Sequence, residues 1–289
     1  MAAKKFSRVE VRRRLLAGFR QAPSLSGCAQ AFVSWLGSEA GKELMAAEAR
    51  ALERSLETMF GYHILQLGGS RDASLIEPSP IGHKIYFNGV ESGSDPSRSA
   101  FAAIEALPLQ TASIDVVVIH HALEFSADSR AVLREAVRVL RPGGQLLLYG
   151  FQPWSAWGVK RAVSRVLCAM QSAPASAPWC GRFRSAGRLA DWLALLEIQV
   201  QCSTDLVHGL PLEGDWVRAK LGPLSAAAER WGVRLASPFG SVVLLQGSKQ
   251  SRPVNPLPLA WARPLKGPLA TPAPTLRGHS RQGRVSFDD

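Results

Sequence analysis

Cysteine is scarce in this chain of 289 residues. Cys28, Cys168, Cys180 and Cys202 stand far apart, with no Cys-x-x-Cys spacing among them. That pattern argues against a metal knuckle or a disulfide framework and suits a reducing compartment, so a cytoplasmic location is expected. Long apolar runs are missing too. None reaches the roughly 18 residues of a membrane span. No apolar segment follows the basic N-terminus, which excludes a secretory signal of the usual form. Glycine is short where a nucleotide-binding turn needs it. After "YHILQL" come Gly68 and Gly69, and the next glycine is Gly82. The dinucleotide spacing G-x-G-x-x-G therefore fails, which disfavours a dehydrogenase.

Positive charge is abundant, with a formal net of +11, but it sits at the ends. Residues 1–20 and 247–289 together account for all of it, and residues 21–246 are neutral. The N-terminal stretch "SRVEVRRRLLAGFRQA" reads as a basic arm over residues 1–24. The tail, residues 248–289, is basic and rich in proline, which removes donors and blocks helix, so it is expected to be extended or disordered. Such arms are expected to make weak, salt-dependent contacts with polyanions.

Between the arms, strands and helices alternate. "SEAGKELMAAEARALERSLETMF" carries Leu44, Ala47, Leu52, Leu56 and Met59 at helical spacing. Ser38 stands ready to cap it and Gly61 to stop it. This is the core of a helical lead-in over residues 25–60. Strands are expected at "YHILQL", "HKIYF", the weaker "SAFAAI" (99–104), "IDVVVIHH" and "QLLLYGF". The run Ile114–His121 is nearly all apolar, as in a central parallel strand covered on both faces. A helix is expected within "SADSRAVLREAVRVLRPGG", stopped by Pro142-Gly143-Gly144. A helix in "RSAGRLADWLALL", a strand near "EIQVQCS", a helix about 215–231 and a last strand "SVVLLQG" follow. The alternation predicts a doubly wound, mostly parallel α/β sheet over residues 61–247. In such sheets ligands sit at the carboxyl ends of the strands.

The segment "EALPLQTASIDVVVIHHALEFSADSRAVLREAVRVLRPGGQLLLYGF" resembles the second half of the class I S-adenosylmethionine-dependent methyltransferases, the type-11 methyltransferase domain. The surrounding "FGYHILQLG" and "GFQPWSAWG" look like a little-characterised bacterial branch, the YafS-like proteins. The resemblance implies a Rossmann-like sheet of seven strands with a final antiparallel one, and S-adenosylmethionine as cofactor. It implies that Gly68 and Gly69 let the backbone approach the cofactor and that Asn88 or Glu91 lies where the ribose hydroxyls are held. Ile104 and Glu105 fall beside the adenine, next to Ala103, where many members place an aspartate. His120 packs beside the methionine moiety, and His121 is the candidate general base. Gln152 and Trp154 would lie over the substrate. Metal ligands are not implied.

The implied activity is direct methyl transfer to an acceptor that the sequence does not identify: a small molecule, RNA or protein. No Asn-Pro-Pro-Tyr motif follows the central strand, which disfavours methylation of a DNA base or glutamine amine. The thinned glycine turn keeps an alternative open, a degenerate methyltransferase-like module that acts through its basic arms.

Overall fold

The computed structural model describes residues 25–69, 74–88, 103–171, 176–212, 215–234, 237 and 239–250. Both basic arms lie outside this set, apart from the start of the tail, as do Glu91 and, in the weak third strand, Ser99–Ala102. Ala103 and Ile104 of that stretch are described and are not strand, so the expectation fails there.

The chain opens with two helices, α1 (Leu25–Leu36) and α2 (Glu39–Leu56). Ser38 caps α2 as anticipated, its hydroxyl accepting from the Gly41 amide at 3.2 Å. The apolar stripe Leu44, Leu52 and Leu56 is buried, and so is one charged residue on the same face, Glu48. Helix α2 stops at Leu56, four residues before Phe60 and well short of Gly61. Gly61 has another job: a Cβ there would lie 2.4 Å from the Cβ of Asp115.

Strands β1 (His63–Leu67), β2 (His83–Phe87), β3 (Ile114–His120), β4 (Leu140–Phe151), β5 (Ile198–Leu206) and β6 (Val242–Lys249) form one sheet in the order β2-β1-β3-β4-β6-β5. Strands β1 to β4 are mutually parallel. The last strand, β6, runs antiparallel to β4 and β5, as expected. Six strands are present among the described residues, against an expected seven. All seven residues of β3 are buried, which fits their apolar run. Each buried Val or Ile removes enough apolar surface to contribute roughly 1.5–3 kcal/mol, so β3 anchors the core.

Between β3 and β4 lie the single-turn α3 (Ala122–Phe125) and α4 (Ser129–Val139), the latter capped by Asp128. The helix ends before Pro142-Gly143-Gly144. That triplet lies inside β4, where the pairing with β3 shifts register, so it forms an irregularity in the strand rather than a helix stop. Helix α5 (Ala156–Gln171) was not anticipated; α6 (Ala186–Leu195) and α7 (Asp215–Arg234) were. No described helix is long and apolar enough to cross a membrane.

Asp115 ties the start of the sheet together. Its Oδ2 accepts from the amides of Tyr62 at 2.6 Å and His63 at 2.8 Å, and its other oxygen pairs with Arg141. This is a structural role at the end of the strands far from the carboxyl rim.

Candidate active site

The carboxyl end of β1 runs directly into Gly68 and Gly69, with φ of +84° and +71°. Both positions need glycine twice over. The left-handed backbone strains any other residue, and there is no room for a Cβ. At Gly68 it would lie 2.4 Å from the His120 carbonyl oxygen, and at Gly69 2.2 Å from His120 Nδ1. The turn therefore packs hard against the end of β3, the next strand in the sheet. Chain connections leave in opposite directions here, β1 to β2 on one side and β3 to β4 on the other. That is the switch point at which doubly wound sheets place ligands.

A cavity of about 210 Å³ opens at this point. Gly68, Gly69, Asn88, Ile104, Glu105 and His121 all line it. These residues come from the ends of three strands and from the segment before β3. The structure thus brings together, on one wall, five of the six residues expected to meet the cofactor and the expected catalytic histidine. His120 is the exception, since its ring lies fully buried behind the glycine turn. Helix α1 supplies the opposite wall through Ala29, Phe32 and Val33. The donor set suits an adenosine-type ligand: a glycine cradle for close backbone approach, an amide and a carboxylate, and an apolar isoleucine.

Behind the wall lies a cluster that the sequence did not signal. Glu48 of α2 is fully buried. Its Oε2 is 2.9 Å from His120 Nε2, and its Oε1 is 2.7 Å from His121 Nε2. Adjacent histidines within a strand would point to opposite faces. Both instead converge on one carboxylate. The reason is backbone conformation: the strand ends at His120, and His121 turns left-handed, with φ of +50° and ψ of +16°. That geometry costs on the order of 1–2 kcal/mol for a residue other than glycine, a cost offset by the contact with Glu48.

The electrostatics follow from burial set against pairing. Burial raises the Glu48 pKa, but the charge of His121, then His120 and their hydrogen bonds, outweigh it and bring it to about 2. Burial lowers His121, but the Glu48 charge and the contacts with Glu124 and Glu48 raise it to about 9. Burial wins at His120, whose pKa is lowered. At neutral pH the cluster holds an ionised Glu48, a protonated His121 and a neutral His120. His121 Nδ1 faces Glu124 Oε1 at 3.7 Å, too far for a hydrogen bond. Glu124 Oε1 accepts from the Phe151 amide at 2.7 Å. Glu48, His120 and His121 also offer ligand atoms within 4.8 Å of one another, two imidazoles and a carboxylate that could hold a metal ion. As placed, each Nε2 stands at hydrogen-bond distance from its own carboxylate oxygen.

A protonated, enclosed imidazole cannot accept a proton from an acceptor, so the geometry does not favour His121 as a general base. Gln152 and Trp154 do not line the cavity. Gln152 is buried and donates to Asp205 Oδ1 at 2.5 Å, whereas Trp154 is 75% exposed. A wider groove of about 670 Å³ runs elsewhere, between α2, α7 and residues 207–212.

The cysteines give a further correction. Cys28 of α1 and Cys180 are joined in a disulfide, with Cα atoms 6.2 Å apart. The two residues are separated by 152 positions. No local spacing could announce the pair, because only the fold brings them together. The bond ties the helix that walls the cavity to the loop between α5 and α6.

Comparison with known proteins accords with this geometry. The Methyltransferase domain family matches residues 90–148. The uncharacterized protein YafS of Escherichia coli is 30% identical over 159 residues, 52% of this chain and 60% of its own length. A malonyl-[acyl-carrier protein] O-methyltransferase of Hahella chejuensis is 38% identical over 91 residues, 28% of this chain and 32% of its own. The chain thus spans less than two thirds of these relatives. Among solved structures, an S-adenosylmethionine-dependent methyltransferase of Thermotoga maritima superposes with a TM-score of 0.53 at 17% identity, covering 76% of this chain and 99% of that one. The matched segment and the YafS relationship each cover part of the chain, and the shared sheet gives it the fold of the S-adenosylmethionine-dependent methyltransferase it superposes on.

Proposed function

We propose that this protein transfers the methyl group of S-adenosylmethionine to an acceptor at the carboxyl rim of its sheet. The observation that carries the proposal is the Gly68–Gly69 turn, left-handed, closed to any Cβ and opening into the cavity at the switch point. The sulfonium methyl is already electrophilic, so the protein's task is to align a nucleophile and exclude water rather than to supply a strong acid or base. In this reading Gly68 and Gly69 cradle the methionine and ribose part, Asn88 holds the ribose, and Ile104 and Glu105 flank the adenine. His120 is a positioning residue that backs the glycine turn. His121, held protonated by Glu48, fixes the rim rather than serving as a base. Gln152 and Trp154 receive no part in binding.

The acceptor class is a small molecule, RNA or protein. The basic termini add weak polyanion contact, which deleting them should remove without loss of fold. The setting is cytoplasmic.

Calorimetric titration with S-adenosylmethionine and S-adenosylhomocysteine tests the proposal. Micromolar binding of both, lost in Gly68→Val, is the expected result. A folded protein that gives no heat with either ligand sinks it.

A further inference from the structure

Five arginines gather near the cavity, four of them, Arg161, Arg182, Arg184 and Arg188, without a salt bridge among the described residues. Arg161 and Arg165 lie one turn apart on α5, Arg182 and Arg184 on the following loop, and Arg188 in the first turn of α6. Arg161, Arg165, Arg182 and Arg184 are half-buried. Among the described residues none of Arg161, Arg182, Arg184 and Arg188 forms a salt bridge. They are held instead by neutral groups. Arg161 Nε donates to the Gly181 carbonyl at 2.6 Å, and its guanidinium lies 5.0 Å over the Phe183 ring. Arg184 donates to the Leu123 carbonyl at 2.9 Å and the Ser129 hydroxyl at 2.7 Å. The Arg161 Nη groups have no protein partner among the described residues, although a guanidinium carries five donors.

These cations are close enough to repel one another. Burial and then the charges of Arg165 and Arg184 bring Arg161 down to about 10. Burial likewise lowers Arg165 and Arg184; Arg182 acts in the same sense on both, while the Glu124 charge partly opposes the shift at Arg184. Half-buried like charges are retained at a cost unless something opposes them.

The nest faces the functional rim. The Arg182 amide donates to the Glu124 carbonyl at 3.0 Å and the Arg184 amide to the Phe151 carbonyl at 3.2 Å. Those are the ends of α3 and β4. Arg182 Nη1 reaches toward the carbonyl of Ala127, which itself lines the cavity.

We propose that this arginine nest binds a phosphate group of a small phosphorylated molecule, the methyl acceptor. Guanidinium forks match phosphate oxygens in geometry and charge. A polymer is disfavoured because residues 21–246 carry no net formal charge, so the nest is a local cluster rather than a basic track. The assignment of this molecule as acceptor rests on the methyltransferase reading; the phosphate site itself does not.

The test is titration of the full-length protein with inorganic pyrophosphate, without cofactor, followed by a single-stranded RNA oligonucleotide in a separate series. Saturable binding of one pyrophosphate per chain is expected, weakened at least tenfold in Arg161→Gln and in the double variant Arg182→Gln/Arg188→Gln. S-adenosylhomocysteine affinity should stay unchanged in the same variants. Absence of pyrophosphate binding by folded wild-type protein overturns the proposal. So does binding that both variants retain, since the anion then sits elsewhere, or binding of RNA alone. Should a variant not fold, the wild-type titration still decides. Loss of S-adenosylhomocysteine binding with pyrophosphate binding intact would defeat the methyltransferase reading and leave the phosphate site standing.

Discussion

The two sides of the switch point are built to different standards. On the β3–β4 side every residue of β3 is buried, and β4 is twelve residues long. On the β1–β2 side both strands have five residues, and β2 is buried only at Phe87. The heavy side keeps the sheet together and the light side supplies the glycine turn, Asn88 and the mouth of the cavity. Besides the β1–β3 ladder, Asp115 joins them at the amino ends, and at the carboxyl end of β3 Glu48 with two histidines fastens α2 to the sheet. Each can be broken separately.

The largest effect should come from Glu48→Gln. It removes a fully buried charge and strands the protonated His121, the situation in which breaking a buried pair costs roughly 3–5 kcal/mol. Chemical denaturation should show that loss, with the slope of the transition unchanged. A loss under 1 kcal/mol would mean that the pair does not hold the lead-in helices to the sheet. Asp115→Ala comes next. It leaves two backbone amides and Arg141 without their acceptor, and about 2–3 kcal/mol is expected from the hydrogen bonds to charge alone.

A pH series sharpens the comparison further. His121 is raised from 6.5 to about 9 on folding. Between those values the native state holds a proton that the unfolded chain has released, so stability falls as pH rises through this window. The slope is at most about 1.4 kcal/mol per pH unit, and His121→Gln should flatten it. Below 6.5 the lowered pKa of His120 acts in the opposite sense, because only the unfolded chain protonates that ring. A stability that rises from pH 6.5 to 9 would contradict the assignment. The smallest effect belongs to Trp154→Ala. The ring is 75% exposed, so stability should change by no more than about 0.5 kcal/mol, with cofactor affinity intact.

What the sequence revealed and what it hid divide along physical lines. Local patterns were readable. The apolar run of β3, the stripe and Ser38 cap of α2 and the last strand stand where their spacing put them. The cavity residues Gly68, Gly69 and Asn88 were readable through position at strand ends, and Ile104 and Glu105 through the family resemblance. Glu48 was not, because a glutamate in an amphipathic helix is assigned to solvent by default, and its partners lie 72 and 73 residues away. The convergence of the two histidines was not legible either, since nothing local signals that His121 leaves the strand with positive φ. Helix α5 went unseen because Val159, Val163, Leu167 and Met170 are exposed, which blurs the contrast between faces. The Cys28–Cys180 contact exists only in three dimensions.

The most direct test of the account is a crystal structure of the complex with S-adenosylhomocysteine. The account predicts the ligand in the cavity at the switch point, its amino-acid part against the Gly68–Gly69 backbone, its ribose at Asn88 and its adenine between Ile104 and Glu105. Ligand found instead in the wider groove between α2 and α7, or a Gly68–Gly69 turn that stays clear of it, would contradict the account.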